Sequence, residues 1–265
     1  MITSTQNQSI KNIIKLSKSK ERQEQNLFVI EGARELSLAL QGGYEVESVY
    51  VCYELFKGSK YPNVLDGIAD KNVFEIAPNV FERIAYRVNS DGLVALAKPK
   101  RHYLSDLHVG NNPFIIVIES VEKPGNLGAI LRTADAAGVD AVLICDPKTD
   151  LYNPNVIRSG VGGLFTVKTV ICTSSEALDW LKNRGINVYA AELEASERYD
   201  KVDFMKPSAI VMGTEADGLT SFWKDNATKR IIIPMCGKID SLNVSTSTAI
   251  ITFEAMRQRG FSEGE

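Results

Sequence analysis

The chain has 265 residues, with 30 basic side chains against 33 acidic ones and a formal net charge of −3. Apolar residues make up 44% and charged residues 24%, the balance of a globular protein and not of a disordered or fibrous one. The charge balance excludes a chain that is basic over its whole surface, and the longest apolar runs, such as Phe114 to Ile118, are far short of the ~20 residues that cross a bilayer. No secretory signal is visible in the polar N-terminus. Cys52, Cys145, Cys172 and Cys236 form no C-x-x-C pair and fit no zinc module, so they read as reduced thiols of a cytoplasmic chain.

In chain order, Ile10, Ile13 and Ile14 mark one face of a first helix. Leu27 to Ile30 reads as a strand and Arg34 to Leu40 as a helix stopped by Gly42-Gly43. Val46 to Tyr53 and Val73 to Ile76 are strands. Pro78 opens a short helix, where its fixed φ is favourable, and Leu93 to Ala97 closes this part. The result is an α/β domain over residues 1–100. A polar linker, 101–112, follows and holds both histidines, His102 and His108; with no third ligand nearby, no metal site is expected.

Residues 113–265 form the second predicted domain. Phe114 to Ile118 is a continuous apolar run, as for a strand buried on both faces. Leu127 to Ala137 is a helix and Ala141 to Cys145 a strand. Tyr152 to Gly163 is a helix-like run ending in glycines; with no strand leading in, it does not read as a nucleotide loop. Val167 to Ile171 is a strand, then Ser174 caps a helix through Asn183. Asn187 to Ala191, Ala209 to Met212 and Arg230 to Ile233 are further strands, and Asn243 to Arg259 is a closing helix. Strands separated by helices imply a mostly parallel sheet.

In such sheets ligands bind beyond the carboxyl ends of the strands. Three loops there carry residues that a plain turn does not need. The first runs from Glu119 through Pro124-Gly125-Asn126-Leu127-Gly128 into a helix, with Asn126 near its cap and Arg132 set among Leu, Ile and Ala. An arginine in such a run needs an anionic partner. The second is Met212-Gly213-Thr214-Glu215-Ala216-Asp217-Gly218-Leu219, two glycines around two carboxylates. The third passes Ile233-Pro234-Met235 and enters a helix at Ser241-Leu242-Asn243-Val244-Ser245, with more hydroxyl and amide groups than one cap requires. None of the three is the dinucleotide fingerprint G-x-G-x-x-G.

Taken together, these segments resemble the three motifs of the SpoU/TrmH family of RNA ribose 2′-O-methyltransferases, part of the SPOUT superfamily. Asn126 to Ala134 is similar to the first motif, Gly213 to Leu219 to the second, and Ile233-Pro234-Met235 with Ser241 to Ser245 to the third. The first half, through Asn26 to Gly32 and the following helix, is similar to the family's substrate-binding domain.

The resemblance implies a C-terminal SPOUT domain with a deep trefoil knot, a smaller N-terminal α/β domain, and S-adenosylmethionine as methyl donor, leaving S-adenosylhomocysteine. By motif position the cofactor residues would be Met212, Gly213, Gly218, Ile233, Met235, Leu242 and Asn243. The catalytic residues would be Asn126, Arg132, Glu215, Asn243 and Ser245. A homodimer through the second domain is implied, with each site completed by the partner. The implied substrate is RNA, ribosomal and of the 23S type. Transfer RNA is the alternative substrate, and a catalytically silent RNA-binding or ribosome-assembly factor is the alternative function. RNA contact would be local, through Lys11, Lys15, Lys18 and Arg22 near the N-terminus and through Arg158. One departure is Thr246-Ser247-Thr248, where relatives carry smaller apolar residues.

Overall fold

Helix α1 (Gln8–Lys15) buries Ile10 and Ile13 and opens at Asn7, whose side chain accepts from the Ser9 N–H at 2.9 Å. The structure is a computed structural model that describes residues 1–56, 59–86, 90–195, 197–214 and 217–261. A second helix, α2 (Ser19–Gln25), follows α1. Then come β1 (Phe28–Glu31), α3 (Ala33–Gln41), β2 (Val46–Val51), α4 (Tyr53–Phe56), β3 (Val73–Glu75), α5 (Pro78–Ile84) and β4 (Leu93–Ala97). Their sheet has the order β1-β4-β2-β3, with β4 antiparallel to both neighbours and β2 parallel to β3. The strand expected to reach Tyr53 stops at Val51, because the Phe56 N–H bonds back to the Cys52 carbonyl and winds α4.

Two helices from later in the chain pack with this sheet. They are α7 (Pro154–Gly160) and α8 (Gly163–Thr166). The two compact units are therefore Met1–Lys100 with Asp150–Thr166, and Arg101–Thr149 with Val167–Glu265. These units differ from the expected boundaries, which kept 113–265 whole. Aromatic packing explains it: Phe28 meets Tyr152 at 4.5 Å between ring centroids, and Tyr44 meets Phe165 edge-on at 5.1 Å. Burial also pushes the Tyr44 phenol up, so it stays protonated. The Tyr152 hydroxyl accepts from the Lys100 N–H at 2.8 Å. Gly162 lies at φ +87°, a left-handed conformation that favours glycine, and a Cβ there would push aside the Leu38 side-chain tip at 2.6 Å.

In the second unit, β5 (Phe114–Glu119), α6 (Pro124–Ala136) and β6 (Ala141–Cys145) precede the excursion to α7 and α8. After it come β7 (Thr169–Cys172), α9 (Ser174–Lys182), β8 (Asn187–Ala191), β9 (Glu197–Arg198), β10 (Ser208–Met212), α10 (Ser221–Asn226), β11 (Lys229–Ile232) and α11 (Val244–Gln258). Seven strands in the order β7-β6-β5-β10-β8-β11-β9 pair in parallel throughout. β5, β6 and β10 are buried at every position, as unbroken apolar runs between two layers must be.

Two predicted caps move. α9 is capped by Thr173, not Ser174: the Glu176 N–H donates to its hydroxyl at 3.2 Å, and the Glu176 carboxylate accepts from the Thr173 N–H at 2.8 Å. α6 starts at Pro124, so Asn126 lies inside the first turn instead of capping it. The other end of the unit is tied by Arg259 after α11, which donates to the carbonyls of Phe204, Asn112, Pro113 and Lys206 at 2.7–3.2 Å. Burial lowers its pKa, yet the fork of five donors lets one charge satisfy several carbonyls.

Candidate active site

The carboxyl ends of β5, β10, β8 and β11 all open onto one region of the second unit. The bend after β10 is held shut from both sides. Thr214 N–H donates to the Gly218 carbonyl at 3.1 Å, and Gly218 N–H returns to Thr214 at 3.2 Å. A Cβ on Gly213 would overlap the Gly218 carbonyl, so this close return needs glycine at 213. Glu119, buried at the end of β5, fixes the far side of the loop: its carboxylate accepts from the Thr220 N–H at 2.9 Å and the Thr220 hydroxyl at 2.7 Å.

Beneath this bend lies a cavity of about 290 Å³. Met212, Gly213 and Gly218 line it from the second motif, and Ile233 and Leu242 from the third. Met235 and Asn243, also expected there, do not line it. A fourth loop, which the sequence did not single out, forms another wall. It follows β8 and contributes Ala191 to Glu194. Glu192 is only 4% exposed and is flanked by Lys224 Nζ at 3.3 Å and Arg230 NH1 at 3.1 Å. With Glu192 answered by Lys224 and Arg230, the described lining still carries the carboxylates of Glu194 and Asp217. That excess of negative charge suits a cationic ligand and opposes a phosphate.

A smaller cavity of about 90 Å³ shares Gly213, Thr214 and Val244 with the larger one and is also lined by Asn126 and Lys123. Asn126 meets the third motif there. Asn243 Nδ2 donates to Asn126 Oδ1 at 3.2 Å. Asn243 Oδ1 in turn caps α11 by accepting from the Ser245 N–H at 2.9 Å and the Ser245 hydroxyl at 2.6 Å. One amide therefore starts a helix with its oxygen and reaches the first motif with its nitrogen. Three of the five predicted catalytic residues, Asn126, Asn243 and Ser245, form this chain of bonds.

The other two stand apart. Arg132, on α6 beyond Asn126, is exposed, lines neither cavity and has no ion pair or hydrogen bond among the described residues. Glu215 lies outside the described residues.

Of the predicted RNA contacts, Lys15, Lys18 and Arg158 are exposed and Lys11 is half-buried. Arg22 is different. Its side chain is 3% exposed, with NH2 2.6 Å from Asp150 Oδ2, and NH1 donates to the carbonyls of Leu16 and Ser17 at 2.8 and 2.9 Å. It is spent on holding residues 150–166 to the first unit, and the expectation of an RNA contact is corrected accordingly.

Comparison with known proteins agrees with this geometry. The profile of the SpoU rRNA Methylase family matches residues 113–253, and that of the MRM3-like substrate binding domain matches residues 7–95. A 23S rRNA (guanosine(2553)-2′-O)-methyltransferase of Bacillus subtilis is 28% identical over 253 residues, covering 95% of this chain and 97% of the relative. A solved structure of an RNA 2′-O ribose methyltransferase is 39% identical with a TM-score of 0.86, covering 97% of this chain and 98% of that one. An AdoMet-bound rRNA methyltransferase from Sinorhizobium meliloti is 29% identical with a TM-score of 0.87, covering 97% of both chains. With three motif loops meeting at the ends of a parallel sheet and a family profile spanning that whole region, the chain belongs to the SpoU rRNA methylase family.

Proposed function

We propose that the chain is an S-adenosylmethionine-dependent RNA methyltransferase acting on a ribose 2′-hydroxyl of ribosomal RNA, of the 23S type. The observation that carries this reading is the joining of the first and third motifs through Asn126 and Asn243 beside a cavity walled by the second. The larger cavity fits the cofactor chemically. Met212, Leu219, Ile231, Ile233 and Leu242 offer apolar walls for an adenine, and the carboxylates favour a sulfonium and an ammonium over a phosphate. When bound, S-adenosylmethionine supplies a methyl group on sulfur that is already a good leaving group, so the chemistry does not call for a metal.

The protein's task is to position a sugar hydroxyl and help it lose its proton. Positioning alone lowers such barriers by ~7–11 kcal/mol in well-oriented systems. Asn126 and Asn243 hold the ribose at the smaller cavity, and Ser245 braces Asn243. Arg132 stabilises the developing alkoxide and a neighbouring phosphate, with Glu215 orienting it. A guanidinium does not serve as the base, because it is not deprotonated in proteins. Arg132 acts on the site of a partner copy, in a homodimer of the second unit; its exposure and its absence from the lining of both cavities support this. The C-terminal segment around Leu242 is the knotted one, and the reaction takes place in the cytoplasm. No helix among the described residues is long and apolar enough to cross a membrane.

The test is transfer of tritium from methyl-labelled S-adenosylmethionine to total RNA, with 2′-O-methyl mapping in a deletion strain. The expected outcome is one ribose site in 23S-type rRNA that loses its methyl group. A mapped site in tRNA would overturn the substrate. Absence of binding heat with S-adenosylmethionine would overturn the activity and leave a silent RNA-binding factor.

A further inference from the structure

The first unit holds a cavity of its own, about 180 Å³, between α1, β1, the end of α5 and α7. Its floor is apolar, with Ile13, Ile84 and Ile157 all buried there. Its mouth carries Arg83, Arg158 and Tyr86, and Tyr86 is 52% exposed. Neither guanidinium has an ion pair or a hydrogen bond among the described residues. The single carboxylate among the described lining residues, Glu31, accepts from the Tyr86 N–H at 2.7 Å. Lys11 and Lys15 extend the positive charge along α1, which has no acidic residue.

The shape and the charge select a ligand. The cavity is smaller than the ~300–1,000 Å³ that encloses a whole drug-sized molecule, so it takes one ring system and leaves the rest outside. Guanidinium groups at the mouth favour anionic groups directly beside that ring. An unpaired nucleotide presents this combination: a flat base flanked by phosphates on either side. We propose that the slot between α1, α5 and α7 holds the base of one unpaired RNA nucleotide, with its flanking phosphates on Arg83 and Arg158 and Tyr86 stacked over it. The proposal rests on the RNA substrate inferred above and adds a base-reading contact in the unit that lacks the cofactor cavity.

The experiment measures binding of a short RNA duplex with one bulged nucleotide and of the same duplex without the bulge, by fluorescence anisotropy across a salt series. The wild-type protein is expected to favour the bulged duplex. Tyr86→Ala loses that preference by about fivefold or more, with the salt slope unchanged, because base stacking carries no counterion release. The Arg83→Ala/Arg158→Ala double variant lowers the slope by roughly two, one for each lost phosphate contact. Circular dichroism and the thermal midpoint are unchanged in each variant and report intact folding.

Equal wild-type affinity for both duplexes would overturn the slot, as would variants that bind both like the wild type. Displacement of the bulged duplex by polyglutamate as readily as by unlabelled RNA would overturn it in favour of an acidic protein segment. Methyl transfer to rRNA by a protein whose variants bind the bulge normally removes the slot and keeps the enzyme. Slot-dependent binding by a protein that transfers no methyl group keeps the slot and removes the enzyme.

Discussion

Asn243 does two jobs with one amide, and they can be separated by substitution. Asn243→Ala removes the helix cap and should lower stability by about 1 kcal/mol, read from thermal denaturation. Asn243→Asp keeps an oxygen for the Ser245 N–H and places a negative charge at a helix N-terminus, which is favourable. It loses the Nδ2 donor to Asn126. Stability should therefore stay near that of the wild type while single-turnover methyl transfer falls by about 100-fold, the scale of a misplaced reactant. An aspartate variant of normal rate would deny the bond to Asn126 any part in positioning.

At this scale the motif residues were the readable ones. Gly213 stands where a side chain cannot fit, and that steric demand is local enough to leave a mark in the sequence. Glu192 left no such mark. Its partners Lys224 and Arg230 lie 32 and 38 residues further on, and a lone acid past a strand looks like any turn residue. The rule that ligands sit beyond strand ends would have found it had it been applied to β8 as well. Arg22 misled for the same reason in reverse. A run of basic residues reads as one solvated face, but the acid that buries this arginine is 128 residues away.

Among the elements, strands such as Asn187–Ala191 follow directly from their apolar composition. The edge strand Glu197–Arg198 is too short to show any alternation. Caps are legible to within a residue, because Thr173 and Ser174 are both good caps and only Glu176 decides between them. That pair gives a pH signature. The hydrogen bonds from Thr173 to its carboxylate hold Glu176 below the usual range. A folded-state pKa that is depressed stabilises above the unfolded value and stops doing so as pH falls through the folded one. Glu176→Gln should therefore be less stable than the wild type near neutral pH, and the two thermal midpoints should converge in acid. A gap that persists at acid pH would mean that the carboxylate charge plays no part in the cap.

At the scale of the whole molecule, the proposed dimer makes a prediction that a monomer cannot meet. Arg132→Ala and Asn243→Ala should each be nearly inactive alone. If Arg132 serves the partner's site, a mixed dimer of the two variants has one site with both residues intact. Co-expression should then restore roughly a quarter of wild-type activity, given random pairing and one working site in each mixed dimer. No recovery in verified mixed dimers would place Arg132 in the site of its own chain.

The fold class and the parallel sheet of the second unit were readable from the sequence. The division of the chain was not, because the contacts that decide it, such as Phe28 with Tyr152 and Tyr44 with Phe165, join residues more than a hundred positions apart.

That division means the backbone passes from one unit to the other at Lys100–Arg101, at Thr149–Asp150 and again at Thr166–Val167. The chain is thus sewn, not hinged at a single thread. A protease nick at the first junction should give two bands on a denaturing gel that still elute together on gel filtration, since the later piece keeps a tongue of residues folded into the earlier one. Residues 101–265 produced without the rest would bare Phe165, Leu164 and Ile157, all buried in the intact chain, and should be recovered as aggregate. Anyone dissecting this enzyme will find that the region matching the substrate binding domain and the region matching the methylase family are not parts that come off with one cut.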